Sequence, residues 1–189
     1  MNARSRLLAC AVAELERAGM EQFSLRSVAV AAGVTPMAVY RHFKGRDELL
    51  AAVGEQAFES WERRIDAINE TDPVAWLRRS GRAYAEFHLE EPARFDACFV
   101  LRTRVERLYP EDFVANRSPV ISLIASRIRE AQEQARLDPG DAIERAMFIW
   151  AQIHGLVMLH RSKRFAMDDT PFLDLCDRAL THFFDDAHP

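Results

Sequence analysis

The sequence predicts an all-α protein of about nine helices, with a small N-terminal three-helix bundle over residues 1–45 and a larger helical domain over residues 46–189. Three observations carry that expectation. Apolar residues recur at spacings of three and four along most of the chain, the pattern of helices that bury one face. Proline, glycine and small capping residues stand where such runs start and stop. No stretch alternates apolar and polar residues long enough to form a credible strand, and no repeat or low-complexity tract occurs.

The first helix is expected from about Ser5 to Ala18, with Leu8, Ala11, Val12 and Leu15 on one face and Gly19 as its stop. Ser24 is a suitable N-cap for a short helix from Leu25 to Ala32, closed by Gly33. Thr35 caps a third helix, with Pro36 at its first position, where a missing N–H costs nothing. That helix should end near Phe43, before Gly45. From Arg46 a longer helix carries Leu50, Val53, Ala57, Phe58, Trp61, Ile65 and Ile68 on one stripe. Thr71 or Asp72 caps the next, which Pro73 opens and which continues to about Leu89. Pro92 opens another through Phe95, Phe99 and Leu101. Tyr109–Asp112 and Ser118-Pro119 punctuate the middle. Further helices are expected from Pro119 to about Ala135, from about Asp141 to His160, and from Pro171 onwards.

Bulk properties narrow the function classes. A chain with 49% hydrophobic and 29% charged residues folds rather than staying disordered. The segment MNARSRLLACAVAEL has no long apolar core or small-residue cleavage site, which predicts no signal peptide. The longest apolar stretch, Ala146 to Leu159, is interrupted by Gln152, His154 and Gly155 and is too short to span a bilayer. A cytoplasmic protein is the expectation. Cys10, Cys98 and Cys176 stand far apart with no CxxC pair, which fits reduced thiols used for packing. The net charge of −4 is unevenly spread: residues 1–50 hold seven Lys/Arg against five Asp/Glu, and the remainder holds 18 against 24. A nucleic-acid binder needs a local basic field, so the acidic total excludes nothing.

The stretch from Ser24 to Phe43 has the anatomy of a helix-turn-helix: two short helices, a tight turn at Gly33, and small residues where the helices cross. Val28, Ala29, Ala32, Val34, Val39 and Phe43 form the interior. Arg26, Ser27, Thr35, Pro36, Met37, Ala38, Tyr40, Arg41 and His42 point outward, a basic, aromatic and hydroxyl-bearing face with almost no carboxylate. Such a second helix fits the DNA major groove. A helical hairpin packed inside a larger bundle is the alternative.

The stretch from Leu7 to Leu50, above all Gly33-Val-Thr-Pro-Met-Ala-Val-Tyr-Arg-His-Phe-Lys-Gly-Arg-Asp-Glu-Leu49, resembles the N-terminal domain of the TetR/AcrR family of transcriptional regulators. Weaker echoes are Tyr84-x-x-Phe87…Pro92-x-x-Phe95 and Trp150-x-x-x-His154-Gly155-Leu156. The resemblance implies that Tyr40, His42 and Lys44 bind DNA phosphates, that Thr35 caps the recognition helix and reaches the backbone, and that Arg26 reaches a guanine edge. Ser24 completes the expected DNA-facing set. The sequence departs from the family pattern at Pro36-Met37-Ala38, where polar or long residues are common. These three offer apolar contact to a thymine methyl and no hydrogen-bond donor, which shifts base reading toward Arg26 and Arg41.

By the same resemblance, residues 46–189 form an effector-binding and dimerisation domain. The candidate ligand residues are Phe58, Trp61, Tyr84, Phe87, His88, Phe95, Phe99, Arg102, Trp150 and His154. Each aromatic can equally be core, and His88 and His154 can equally be satisfied helix–helix histidines. The penultimate helix is apolar nearly all round, with Phe148, Ile149, Leu156 and Leu159 off its main face, and the last is similar. Such helices need cover on both sides. Phe148, Ile149, Gln152, Leu156, Leu159, Leu173, Leu180 and Phe184 are therefore expected at a homodimer contact, unless both helices are buried in a monomer. The expected partners are a palindromic double-stranded operator, a small, largely apolar effector, and a second copy, with no membrane. No cofactor or metal is expected.

An enzyme finds little support, since GxSxG, phosphate-loop, HExxH and Cys-rich metal patterns are missing from the sequence. His154 and His160 stand about 240° apart around a helix. The tail from His182 to His188 reads as a frayed end rather than a metal site. A DNA-binding architectural protein without an effector is the remaining alternative.

Overall fold

The computed structural model describes residues 2–102 and 106–185, which form ten helices and no strand. They are α1 (Ala3–Gln22), α2 (Leu25–Ala31), α3 (Pro36–Tyr40), α4 (Arg46–Asp66), α5 (Pro73–Glu90), α6 (Pro92–Phe99), α7 (Glu111–Val114), α8 (Pro119–Glu133), α9 (Ala142–Arg161) and α10 (Asp169–Asp185). None of them is long and apolar enough to cross a membrane. The expected all-α class is what the structure shows. The helix beyond the expected nine is the single turn α7, too short for any apolar period to announce it.

Local chemistry explains most boundaries. Asn2 caps α1, its side chain accepting the Ser5 N–H at 2.8 Å, so the helix starts earlier than the expected Ser5. Gly19 breaks α1 at φ 72°, a left-handed conformation that glycine adopts without penalty. Asp72 caps α5 by accepting the Ala75 N–H at 2.7 Å, and this bond holds its carboxyl below the usual carboxylate range. Asp141 caps α9 by accepting from Ile143 and Glu144 at 2.8 and 2.9 Å. Two expected ends move. α3 stops at Tyr40, the chain closing through bonds from Arg41 to Ala38 and from His42 to Val39. α10 begins at Asp169, two residues before Pro171, because a proline within the first turn sacrifices no helical bond.

The chain divides into two compact units, one of residues 1–61 with 91–106, the other of 62–90 with 107–189. The division thus lies beyond the expected 45/46 boundary, and the N-terminal unit takes in most of α4 and all of α6. Leu7, Leu8, Ala11, Val28, Ala29, Val39, Phe43, Leu49, Val53 and Phe95 are buried in it. In the second unit α5 packs against α8, α9 and α10. Its buried residues occur on nearly every side, from Trp76 and Leu77 through Ala83 and Ala85 to Phe87.

Gly81 sets how closely α5 approaches its neighbours. A Cβ there would stand 2.5 Å from Leu180 Cδ1 and 3.4 Å from Ile153 Cγ1. Leu180 is fully buried, so its side chain has no free volume to swing into. Gly81→Val is expected to cost about 1–3 kcal/mol by overpacking. The readout is a lower urea midpoint at unchanged m-value, and a midpoint at or above that of the parent would contradict this packing.

Candidate nucleic-acid interface and effector region

The helix-turn-helix is built as its caps require. Ser24 Oγ accepts the Ser27 N–H at 3.4 Å, and Thr35 Oγ1 accepts the Ala38 N–H at 3.3 Å. Gly33 turns the chain at φ 66°. Val28, Ala29, Ala32, Val39 and Phe43 fill the interior as expected, while Val34 is half-buried. The Arg4 guanidinium lies 5.2 Å from the Phe43 ring centre and the Arg46 guanidinium 5.7 Å from that of Phe23. Arg46 also donates to the Met20 carbonyl at 2.6 Å, tying the start of α4 to the end of α1.

That interior leaves a continuous set of candidate DNA groups on the surface. Arg26, Thr35, Pro36, Met37, Tyr40, Arg41, His42 and Lys44 are exposed, and Ser24 and Ala38 half-buried. Tyr40 is 53% exposed. No Asp or Glu occurs between Ser24 and Gly45. The backbone N–H of Lys44 is held by Glu48 at 2.6 Å, and its side chain is exposed. One exposed residue, Val30, is absent from the set expected from the sequence; it is 72% exposed and one helical turn from Arg26 on α2. Its spacing from Arg26 was the available signal.

The expected effector residues fall into two groups. Phe58, Trp61, Phe95 and Phe99 belong to the N-terminal unit and form an aromatic cluster around Phe99, whose ring centre lies 5.9 Å from those of Phe58 and Trp61 and 5.2 Å from that of Phe95. Phe95 is fully buried, which makes it core. Tyr84, Phe87, His88, Trp150 and His154 belong to the second unit. Phe87 is also fully buried. Arg102 is exposed.

Tyr84, Trp150 and His154 form a hydrogen-bonded group. Trp150 Nε1–H donates to Tyr84 Oη at 3.1 Å, and Tyr84 Oη lies 2.8 Å from His154 Nδ1. The indole can only donate, so the phenol oxygen accepts from it and shares a second hydrogen bond with the imidazole Nδ1. Burial lowers the His154 pKa. His88 Nε2 lies 3.5 Å from Nδ1 of His160, whose ring stacks on Phe172 at 4.1 Å between centres. Among the described residues no group of three or more His, Cys, Asp or Glu side chains could hold a metal ion.

Three residues expected at a subunit contact are corrected by the structure. Ile149, Leu180 and Phe184 are 4%, 0% and 3% exposed in the single chain, covered by other helices of that chain. Phe148 and Leu159 remain 55% and 44% exposed, with Gln152, Leu156 and Leu173 half-buried. Cys98 and Cys176 are buried, and burial pushes the Cys176 thiol up to about 12.

Burial, with the charge of His160 second, pushes the His88 imidazole down to about 4 from an ordinary 6.5. Between these values the unfolded chain binds the proton and the folded one does not, so stability falls as pH falls through that window. The loss attributable to His88 is expected to approach roughly 3 kcal/mol near pH 4. Urea unfolding at pH 7 and pH 5 should show a smaller difference in His88→Gln than in the parent, and equal differences would contradict this account.

Residues 7–53 match the family model for bacterial regulatory proteins of the tetR family, and residues 77–183 match that for tetracyclin repressor-like C-terminal domains. No curated protein matches the chain. A solved protein of unknown function from Rhodococcus sp. RHA1 is 24% identical, with a TM-score of 0.76 over 97% of this chain and 96% of its own. The fatty acid degradation regulator FadR from Bacillus halodurans is 16% identical, with a TM-score of 0.74 over 95% of each chain. AibR, solved with isovaleryl coenzyme A and operator DNA, is 18% identical, with a TM-score of 0.67 over 93% of this chain and 96% of its own. These likenesses show a shared fold. With the two family models covering both the helix-turn-helix and most of the second unit, the chain belongs to the TetR family of DNA-binding transcriptional regulators.

Proposed function

We propose that the protein is a homodimeric repressor that binds a palindromic operator through the α2–α3 surface and leaves it when a small, largely apolar effector binds the second unit. The observation that carries this reading is the carboxylate-free face of Arg26, Thr35, Tyr40, Arg41, His42 and Lys44, held outward by a buried interior. Tyr40, His42 and Lys44 contact phosphates, and these contacts set register and salt dependence without reading sequence. Arg26 supplies a bidentate donor for a guanine edge.

Dimerisation is supported by α9, where Phe148 and Leu159 are exposed on one side of a helix whose other side is buried in its own unit. An open depression of about 620 Å³ lined by Phe148, Gln152, His182 and Phe183 adjoins them. A second copy would cover this surface and place two recognition helices on successive major grooves, roughly 34–36 Å apart. The effector is read by the Trp150–Tyr84–His154 group, which sets polar atoms beside aromatic surface for an apolar body. AibR and FadR, with isovaleryl coenzyme A and fatty acid degradation in their descriptions, favour an acyl group as that body. Release follows if the effector binds better to a state in which the recognition helices no longer match the groove spacing.

The test is selection of sequence-preferring duplexes from a random pool by the full-length protein, followed by anisotropy titration across salt concentration. Lys44→Ala is expected to weaken binding and to reduce the salt slope by about 1, because one phosphate is no longer neutralised. Tyr40→Phe is expected to cost about 1 kcal/mol with the slope unchanged. A pool that yields no preferred sequence would overturn the reading.

A further inference from the structure

On the α2–α3 surface, the groups that would face base edges are unusually poor in polar readers. Pro36 has no N–H, Met37 ends in a thioether, and Ala38 in a methyl. The Ala38 N–H beside them is already committed to the start of α3. Thr35 Oγ1 accepts the Ala38 N–H, and that N–H also reaches the Thr35 carbonyl at 2.9 Å. Against this, Met37 is 70% exposed and Val30, on the other helix of the motif, 72% exposed, although both are large apolar side chains. Neither packs into the interior formed by Val28, Ala29, Val39 and Phe43.

The major-groove edge offers one apolar group, the C5-methyl of thymine. We infer that Met37 and Val30 read thymine methyls, so that the operator half-site is specified by apolar contact at the positions facing them and by Arg26 at a guanine. This inference rests on the proposed DNA-binding role of the α2–α3 surface and deepens it. Deoxyuridine pairs as thymidine does and differs from it only by the missing methyl, so it isolates the contact. A buried methyl contributes enough apolar area for about a four-fold change in affinity per contacted base. The phosphate contacts are untouched by that exchange, so the salt slope stays as it was.

The experiment takes the duplex selected by the full-length protein and replaces its thymidines one at a time by deoxyuridine. Affinity is expected to drop about four-fold at one or more thymines of each half-site. In Met37→Ala or Val30→Ala that preference for thymine over uracil should shrink at the corresponding position, at unchanged salt slope. Both side chains are exposed, so neither variant is expected to lose helicity, which circular dichroism checks. A selected duplex indifferent to every replacement overturns the inference while leaving the DNA-binding role standing, and so does a thymine preference unchanged in both variants. A pool yielding no preferred sequence overturns both.

Discussion

Gly81 allows α5 to lie against α10 so closely that one added carbon would stand 2.5 Å from the buried Leu180 side chain, with Ile153 of α9 on the same spot. Buried this way, α5 carries polar side chains inside the unit. Ser80, Tyr84 and His88, spaced four apart on one ridge, each have different neighbours. Ser80 donates to the Leu77 carbonyl of its own helix at 2.8 Å. Tyr84 joins Trp150 and His154, and His88 faces His160.

The N-terminal unit follows a different rule. Its core is small, and it uses caps rather than bulk to define short helices. α2 and α3 are seven and five residues long, below the length at which a helix holds alone. Ser24, Thr35, Pro36 and Gly33 specify the ends, and Val28, Ala29, Val39 and Phe43 supply the anchor. With the inside committed to the core and the hydroxyls to capping, the outside is free to serve recognition. Its charged and phenolic groups suit a phosphate backbone. Its apolar pair, Met37 and Val30, suits only a base edge that carries a methyl.

Much of this was legible in the sequence because capping and turn chemistry are local. Ser24, Thr35 and Asp72 cap as their residue types suggest, and Pro73, Pro92 and Pro119 open helices where expected. The family resemblance of residues 7–50 is matched by the family model over 7–53. The misses are of another kind. A helix apolar on most sides, such as α9, does not reveal which of its residues its own chain will cover, so Ile149 and Phe148 looked alike and ended at 4% and 55% exposed. The same holds for Leu180 and Phe184, whose cover comes from helices distant in sequence. Val30 was hidden for the opposite reason: a valine on a short helix is ordinarily interior.

The central claim is that two copies present the α2–α3 surface to successive major grooves of one DNA face. Hydroxyl-radical footprinting of the selected duplex with the full-length protein tests it most directly. Two protected backbone patches on one face, separated by about one helical turn (roughly 34–36 Å), are the predicted result. A single patch, or protection spread evenly along the duplex, would contradict the account.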